Sequence, residues 1–161
     1  MKPRWIELGL ALVGTKEQIG PSHNPLIVRM WEAIKAPFRD DETPWCAAFV
    51  GSMLEQSGIR STRSAAARSY ETWGTAAPPV VGAVVVFSRP GNAWSGHVGF
   101  LVGRDTNDRL MILGGNQGNA VSIAPFTQDR VLAFRWPAGV SIPGEELPLF
   151  ATGRPASQNE A

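Results

Sequence analysis

The stretch SGHVGFLVGRDTNDRLMILGGN, Ser95 to Asn116, reads as two β-rich runs joined by a polar return. His97–Val102 and Leu110–Leu113 carry the Val, Leu, Ile and Phe that suit strands, and Gly103–Arg109 supplies the turn residues between them. A tight antiparallel return pairs Gly103 or Arg104 with Arg109, so paired residue numbers sum to about 212–213. Residue 97 then falls opposite 115 or 116, and directly opposed residues lie within side-chain reach. A one-residue slip or a bulge would move them to different faces.

Further β-rich runs lie on both sides, at Ala83–Phe87, Ala120–Ala124 and Val131–Phe134, separated by Gly, Asn and Asp clusters as in an antiparallel meander. Upstream of Pro78-Pro79 the period changes. Trp5, Ile6, Leu8, Ala11, Leu12 and Val13 form an apolar stripe at helical spacing that Gly14 ends. Asn24 before Pro25 resembles an N-cap with proline at the first helical position, and Leu26, Met30, Trp31 and Ile34 continue a second short face up to Pro37. After the acidic loop Asp40-Asp41-Glu42, Thr43 and Pro44 are placed to cap and open a third helix, with Cys46 in its first turn. Ala47, Ala48, Phe49, Val50, Met53 and Leu54 make that helix apolar over much of its girth, so it should be central, and Gly58 stops it. A fourth helix is expected over about 62–73. Helices first and strands later give an α+β fold with helices on one face of the sheet. Residues 137–161, with Pro143, Pro148 and Pro155, read as a linker or surface-wrapping extension to a domain over 1–136.

Composition narrows the function. The chain has 161 residues, one domain's worth, and 43% apolar residues can fill a core. Fifteen basic against 14 acidic residues leave a net charge of +1, which gives no electrostatic footprint for nucleic acid or an anionic membrane. No apolar run reaches the roughly 18–20 residues of a membrane span. The stretch Trp5–Gly14 is interrupted by Glu7 and lacks a small-residue cleavage site, so it does not read as a signal peptide. One cysteine excludes an intrachain disulfide framework, and one cysteine with two histidines, widely spaced, is too few for a structural zinc site. No cofactor and no metal are expected. There is no phosphate-binding glycine loop of either common type.

Three residues remain for chemistry. Cys46 at a helix start would sit among unpaired N–H groups at the positive end of the helix dipole, which favours the nucleophilic thiolate, although Asp40, Asp41 and Glu42 just upstream oppose a further negative charge. The plainer reading is a packed core cysteine. His97 opens a strand between two glycines that leave room for another group to approach, against the plainer reading of a surface histidine. Asn116 is either a hairpin-turn residue or, by register, a neighbour of His97. Together they compose a nucleophile, a base and an orienting amide. A serine triad is weaker, since no G-x-S-x-G occurs and Ser95 merely adjoins His97. Trp45 and Trp94 flank the pair and could wall a cleft, or simply pack. His23 reads as an ordinary loop residue.

The blocks Asp41-Glu42-Thr43-Pro44-Trp45-Cys46-Ala47-Ala48-Phe49-Val50, Gly96-His97-Val98-Gly99-Phe100 and Gly114-Gly115-Asn116-Gln117 resemble, in this order, a phage-associated branch of the CHAP and NlpC-type superfamily, the cysteine, histidine-dependent amidohydrolases and peptidases. The resemblance covers about residues 5–136. It implies a papain-like α+β fold, with N-terminal helices packed against a five- to six-stranded antiparallel sheet. It implies cleavage of a peptidoglycan amide, with Cys46 as nucleophile, His97 as general base and acid, and Asn116 as orienting group. Where many CHAP members carry Glu-x-Asn, the glutamate position here is Gly114, which leaves the third member open between Asn116 and Gln117. A monomer is expected, and the resemblance implies an endolysin-like protein, made in the host cytoplasm and reaching the wall by holin-type release or injection. A non-catalytic wall-binding or phage structural module, and a cysteine-dependent acyltransferase, are the alternatives.

Overall fold

The computed structural model describes residues 2–18 and 20–151, and the expectations for residues 152–161 lie outside them. Helix α1 (Arg4–Ala11) buries Trp5, Ile6 and Gly9, three positions on one side. It stops where expected, with Gly14 in the left-handed region at φ +101°. Helix α2 (Pro25–Ala33) starts as the sequence predicts: Asn24 accepts the Leu26 N–H at 2.9 Å and Pro25 takes the first helical position. Helix α3 (Cys46–Gln56) begins two residues later than a Thr43 cap would give. Thr43 is already committed, its N–H and hydroxyl donating to the Asp40 carboxylate at 2.6 and 3.1 Å. Trp45 therefore becomes the cap residue and Cys46 the first residue of the helix.

The fourth helix is not formed over its predicted span. Only Ala67–Thr72 is helical, as a 3-10 segment. The chain before it is held instead by Glu55, which accepts from the Ser61 N–H and hydroxyl and from the Arg63 guanidinium, with Arg63 in the left-handed region.

The described residues form seven strands: β1 (Thr75–Ala76), β2 (Val84–Arg89), β3 (Asn92–Asp105), β4 (Leu110–Gly114), β5 (Ser122–Phe126), β6 (Val131–Trp136) and β7 (Leu149–Phe150). They run in the order β1-β6-β2-β3-β4-β5, all antiparallel, and β7 adds a two-residue parallel pairing to the far end of β3. The fold is the α+β class read from the sequence, with seven strands where five or six were expected, because the two-residue β1 and β7 join the sheet. β7 lies in the stretch after Pro137, so part of that extension is stitched to the sheet.

Strand alternation gives the sheet two apolar faces. Phe100 meets Phe49 of α3 at 6.1 Å between ring centroids, which places α3 on the Val98 and Phe100 side. Gly9 of α1 completes that layer: a Cβ there would stand 2.9 Å from Leu113 Cδ2 and 3.1 Å from Phe49 Cζ. The other side carries a stack of rings. Phe87 lies on Phe126 at 4.6 Å, and His97 lies on Phe126 at 5.2 Å with the planes 6° apart.

Candidate active site

The β3–β4 hairpin has the predicted register at its open end, where Phe100 pairs with Leu113 and Leu101 with Ile112. A bulge between Leu101 and Gly103 absorbs one residue nearer the turn. The ladder stops at Phe100 and Leu113, before His97 is reached. Leu101 donates its N–H to Ala83 on the β2 side, so the Val98 N–H, three residues back, points the opposite way, past the end of the ladder. The Cys46 sulfur takes that place and receives the Val98 N–H. The fold thus brings the first residue of α3 to the backbone just after His97.

Cys46 is 5% exposed and His97 is fully buried. Burial pushes the Cys46 thiol above its ordinary pKa, and this outweighs the downward pull of the Val98 and Ala47 N–H groups, the Arg89 charge and the cysteine's own N–H. The helix-start effect expected from the sequence is present but loses to desolvation, so the resting sulfur is a thiol. One carboxylate of the acidic loop is compensated locally. Asp41, fully buried, accepts from the Gln18 and Asn24 N–H groups at 2.7 and 2.9 Å and pairs with His23 at 3.0 Å. His23 is therefore a partner of the loop rather than a mere surface residue.

Gln117 holds the imidazole. Its Oε1 lies 2.9 Å from His97 Nε2, while its Nε2 donates to the Ile112 and Ser122 carbonyls at 3.1 and 2.9 Å. Two carbonyl acceptors around the amide nitrogen fix which way the amide faces. The oxygen must point at the ring, so His97 Nε2 carries the proton and the neutral ring keeps its lone pair on Nδ1. Asn116 is 1% exposed, its Nδ2 has no hydrogen-bond partner, and its backbone is left-handed at φ +59°. Gly114 is what lets Gln117 in: a Cβ at 114 would stand 2.8 Å from Gln117 Cδ and 3.3 Å from His97 Nε2.

The two tryptophans part company. Trp45 is fully buried and donates to Glu17 at 2.9 Å, so it presents no face to a substrate. Trp94 is 92% exposed at the rim of a cleft that Cys46 also lines. Arg68, Arg89 and Ser95 of that cleft were not singled out by sequence reasoning. Arg89 had a signal, since it immediately precedes the Pro90-Gly91 tip between two strands.

Residues 38–116 match the family model of the CHAP domain. The match spans just under half of the chain, includes Cys46, His97 and Asn116, and supports the CHAP/NlpC-type peptidoglycan hydrolase family. No curated relative matches the chain. CHAP domains act generally as cysteine hydrolases and amidases on peptidoglycan. Among the described residues no group of three or more His, Cys, Asp or Glu is placed to hold a metal ion, and no helix is long and apolar enough to cross a membrane.

Proposed function

We propose that this chain is a peptidoglycan hydrolase that cleaves an amide through Cys46 and a thioester intermediate. The observation that carries the reading is the junction of α3 and β3: the Cys46 sulfur seated on the N–H of Val98, the residue directly after His97, whose imidazole Gln117 holds. His97 Nδ1 takes the thiol proton as the sulfur attacks the scissile carbonyl carbon. Concerted removal suits a thiol that burial keeps protonated. The Cys46 N–H at the head of α3 stabilises the oxyanion of the tetrahedral intermediate in this scheme. Collapse breaks the C–N bond, and the imidazolium gives its proton to the departing amine. Water, deprotonated by the same ring, then cleaves the thioester to a carboxylic acid and restores the thiol. Gln117, rather than Asn116, is the orienting residue in this scheme, supported by the bond it makes to Nε2.

The test is release of muropeptides from purified sacculi by the whole chain and by Cys46→Ala and His97→Ala, followed by mass spectrometry. Loss of product in both variants with retained folding is the expected result. Undiminished release by Cys46→Ala would reject the assignment and leave a wall-binding module. An added amine appearing in the products would mark an acyltransferase. Phage origin and an endolysin role belong to the same proposal and are tested by lysis of cells with a permeabilised outer membrane.

A further inference from the structure

The cleft beside Cys46 holds about 210 Å³. It is lined by the alanine run 65–67 and by Arg68, Arg89, Trp94 and Ser95, and among the described residues no carboxylate lines it. It is an apolar hollow with charge of one sign.

Several features show that these groups are placed. The β2–β3 register shifts between Ser88 and Arg89, and such a bulge re-aims the side chain it carries. The stem of Arg68 lies across Gly96, where a Cβ would stand 2.9 Å from Arg68 Cγ and 2.5 Å from the Phe87 carbonyl oxygen, so only glycine admits it. Arg68 is steadied by Glu71, Nε to Oε2 at 2.9 Å. Asn92 Oδ1 accepts the N–H groups of Trp94 and Ser95 at 2.9 and 3.2 Å, fixing the backbone that holds the indole out in water. The Ser95 hydroxyl oxygen is buried with no hydrogen-bond partner.

We propose that this cleft is a carboxylate subsite, and that the amide attacked by Cys46 belongs to an acidic peptide with a free carboxylate close to the scissile carbonyl. The inference rests on the hydrolase reading and names its substrate class: a stem-peptide amide, not the bond between sugar and peptide. Guanidinium groups pair with carboxylates in a way that neutral sugar hydroxyls do not match. Trp94 covers the bound chain and gains the burial it now lacks.

The test uses a synthetic stem tetrapeptide with its carboxylates free and the same peptide with them converted to carboxamides. Wild-type kcat/KM should favour the free acid by about tenfold or more, the scale of a charged hydrogen bond. Arg89→Gln should shrink that ratio, and Arg89→Lys should restore part of it. Binding to Cys46→Ala, followed by the fluorescence of Trp94, should show the same order. Equal turnover and equal binding of the two peptides overturns the subsite while leaving the hydrolase intact. Selective binding by Cys46→Ala, with no hydrolysis by the wild type, upholds the subsite and overturns the hydrolase.

Discussion

Gln117 and His97 form a buried pair in which the amide, itself fixed by two carbonyls, dictates the imidazole tautomer. Removing Gln117 frees the ring to turn and to move its proton between nitrogens. It also strands the Ile112 and Ser122 carbonyls.

Gln117→Ala should therefore lower kcat on the order of 10²-fold, the low end of what a positioned acid–base group contributes, with KM little changed. Asn116→Gly keeps the left-handed backbone available and deletes only the amide side chain, so it should cost kcat much less. Steady-state kinetics of the two variants decides between them as orienting residue, and a larger loss in Asn116→Gly would reverse the assignment.

The Cys46 thiol lies above its ordinary pKa because burial outweighs the amides and the Arg89 charge around it. In the absence of substrate, alkylation by iodoacetamide at pH 7 should be slower than for an exposed cysteine, and its midpoint should lie above about 8.5. Arg89→Gln removes a charge that favours the thiolate, so its midpoint should move higher still. Rapid labelling of the wild type at pH 6 would contradict the protonated resting state.

Glu55 ties down the segment leading to the alanine run that lines the cleft. The Arg63 guanidinium, with the Ser61 N–H and hydroxyl, holds its carboxyl at about 2 against an ordinary 4.5. A carboxyl lowered on folding adds stability above its unfolded pKa and loses it as pH falls through the folded one. Glu55→Gln should thus cost about 1–2 kcal/mol at pH 7, the exposed part of the pair being screened by solvent. The gap to wild type should close between about pH 4.5 and pH 2. Chemical denaturation across that range checks it, and a gap that widens on acidification would refute it.

Local signals were legible where local chemistry decides. Asn24 and Pro25 start α2 because a cap needs only its own turn, and Phe100 opposite Leu113 follows from period-two alternation around a polar return. What failed depended on competing acceptors nearby or on distant partners. Thr43 lost its capping role to Asp40, and Glu55 took the amide and hydroxyl of Ser61 that a longer helix would have used differently. β7 is two residues whose pairing exists only because β3 runs on to Asp105, past the last β2 pair at Val84 and Phe100. The direction of the Cys46 pKa turned on burial, which a helix start does not reveal. Choosing between Asn116 and Gln117 required knowing that the ladder ends at Leu113, after which the left-handed turn at Asn116 delivers the next side chain to the ring.

Gly115 offers the sharpest test of how packing sets the site. A Cβ there would stand 2.7 Å from Phe49 Cβ and 2.7 Å from Trp45 Cζ3, inside the space that α3 needs to reach β4. Neither neighbour can yield easily, since one contact is to the first atom of a side chain and the other to a fully buried indole. Gly115→Ala should cost about 1–3 kcal/mol by overpacking, lowering Tm by about 2–4 °C per kcal/mol for a chain of this size. Trp45 directly precedes Cys46, so any relief of the clash moves the sulfur, and a near-attack geometry tolerates little displacement. The fall in kcat should then exceed that of Gly118→Ala, where a Cβ meets nothing and only the positive φ of +66° is strained. Equal activities in the two variants, with Gly115→Ala the less stable, would show that the seat of Cys46 is set by α3 alone and not by the β4 end that packs against it.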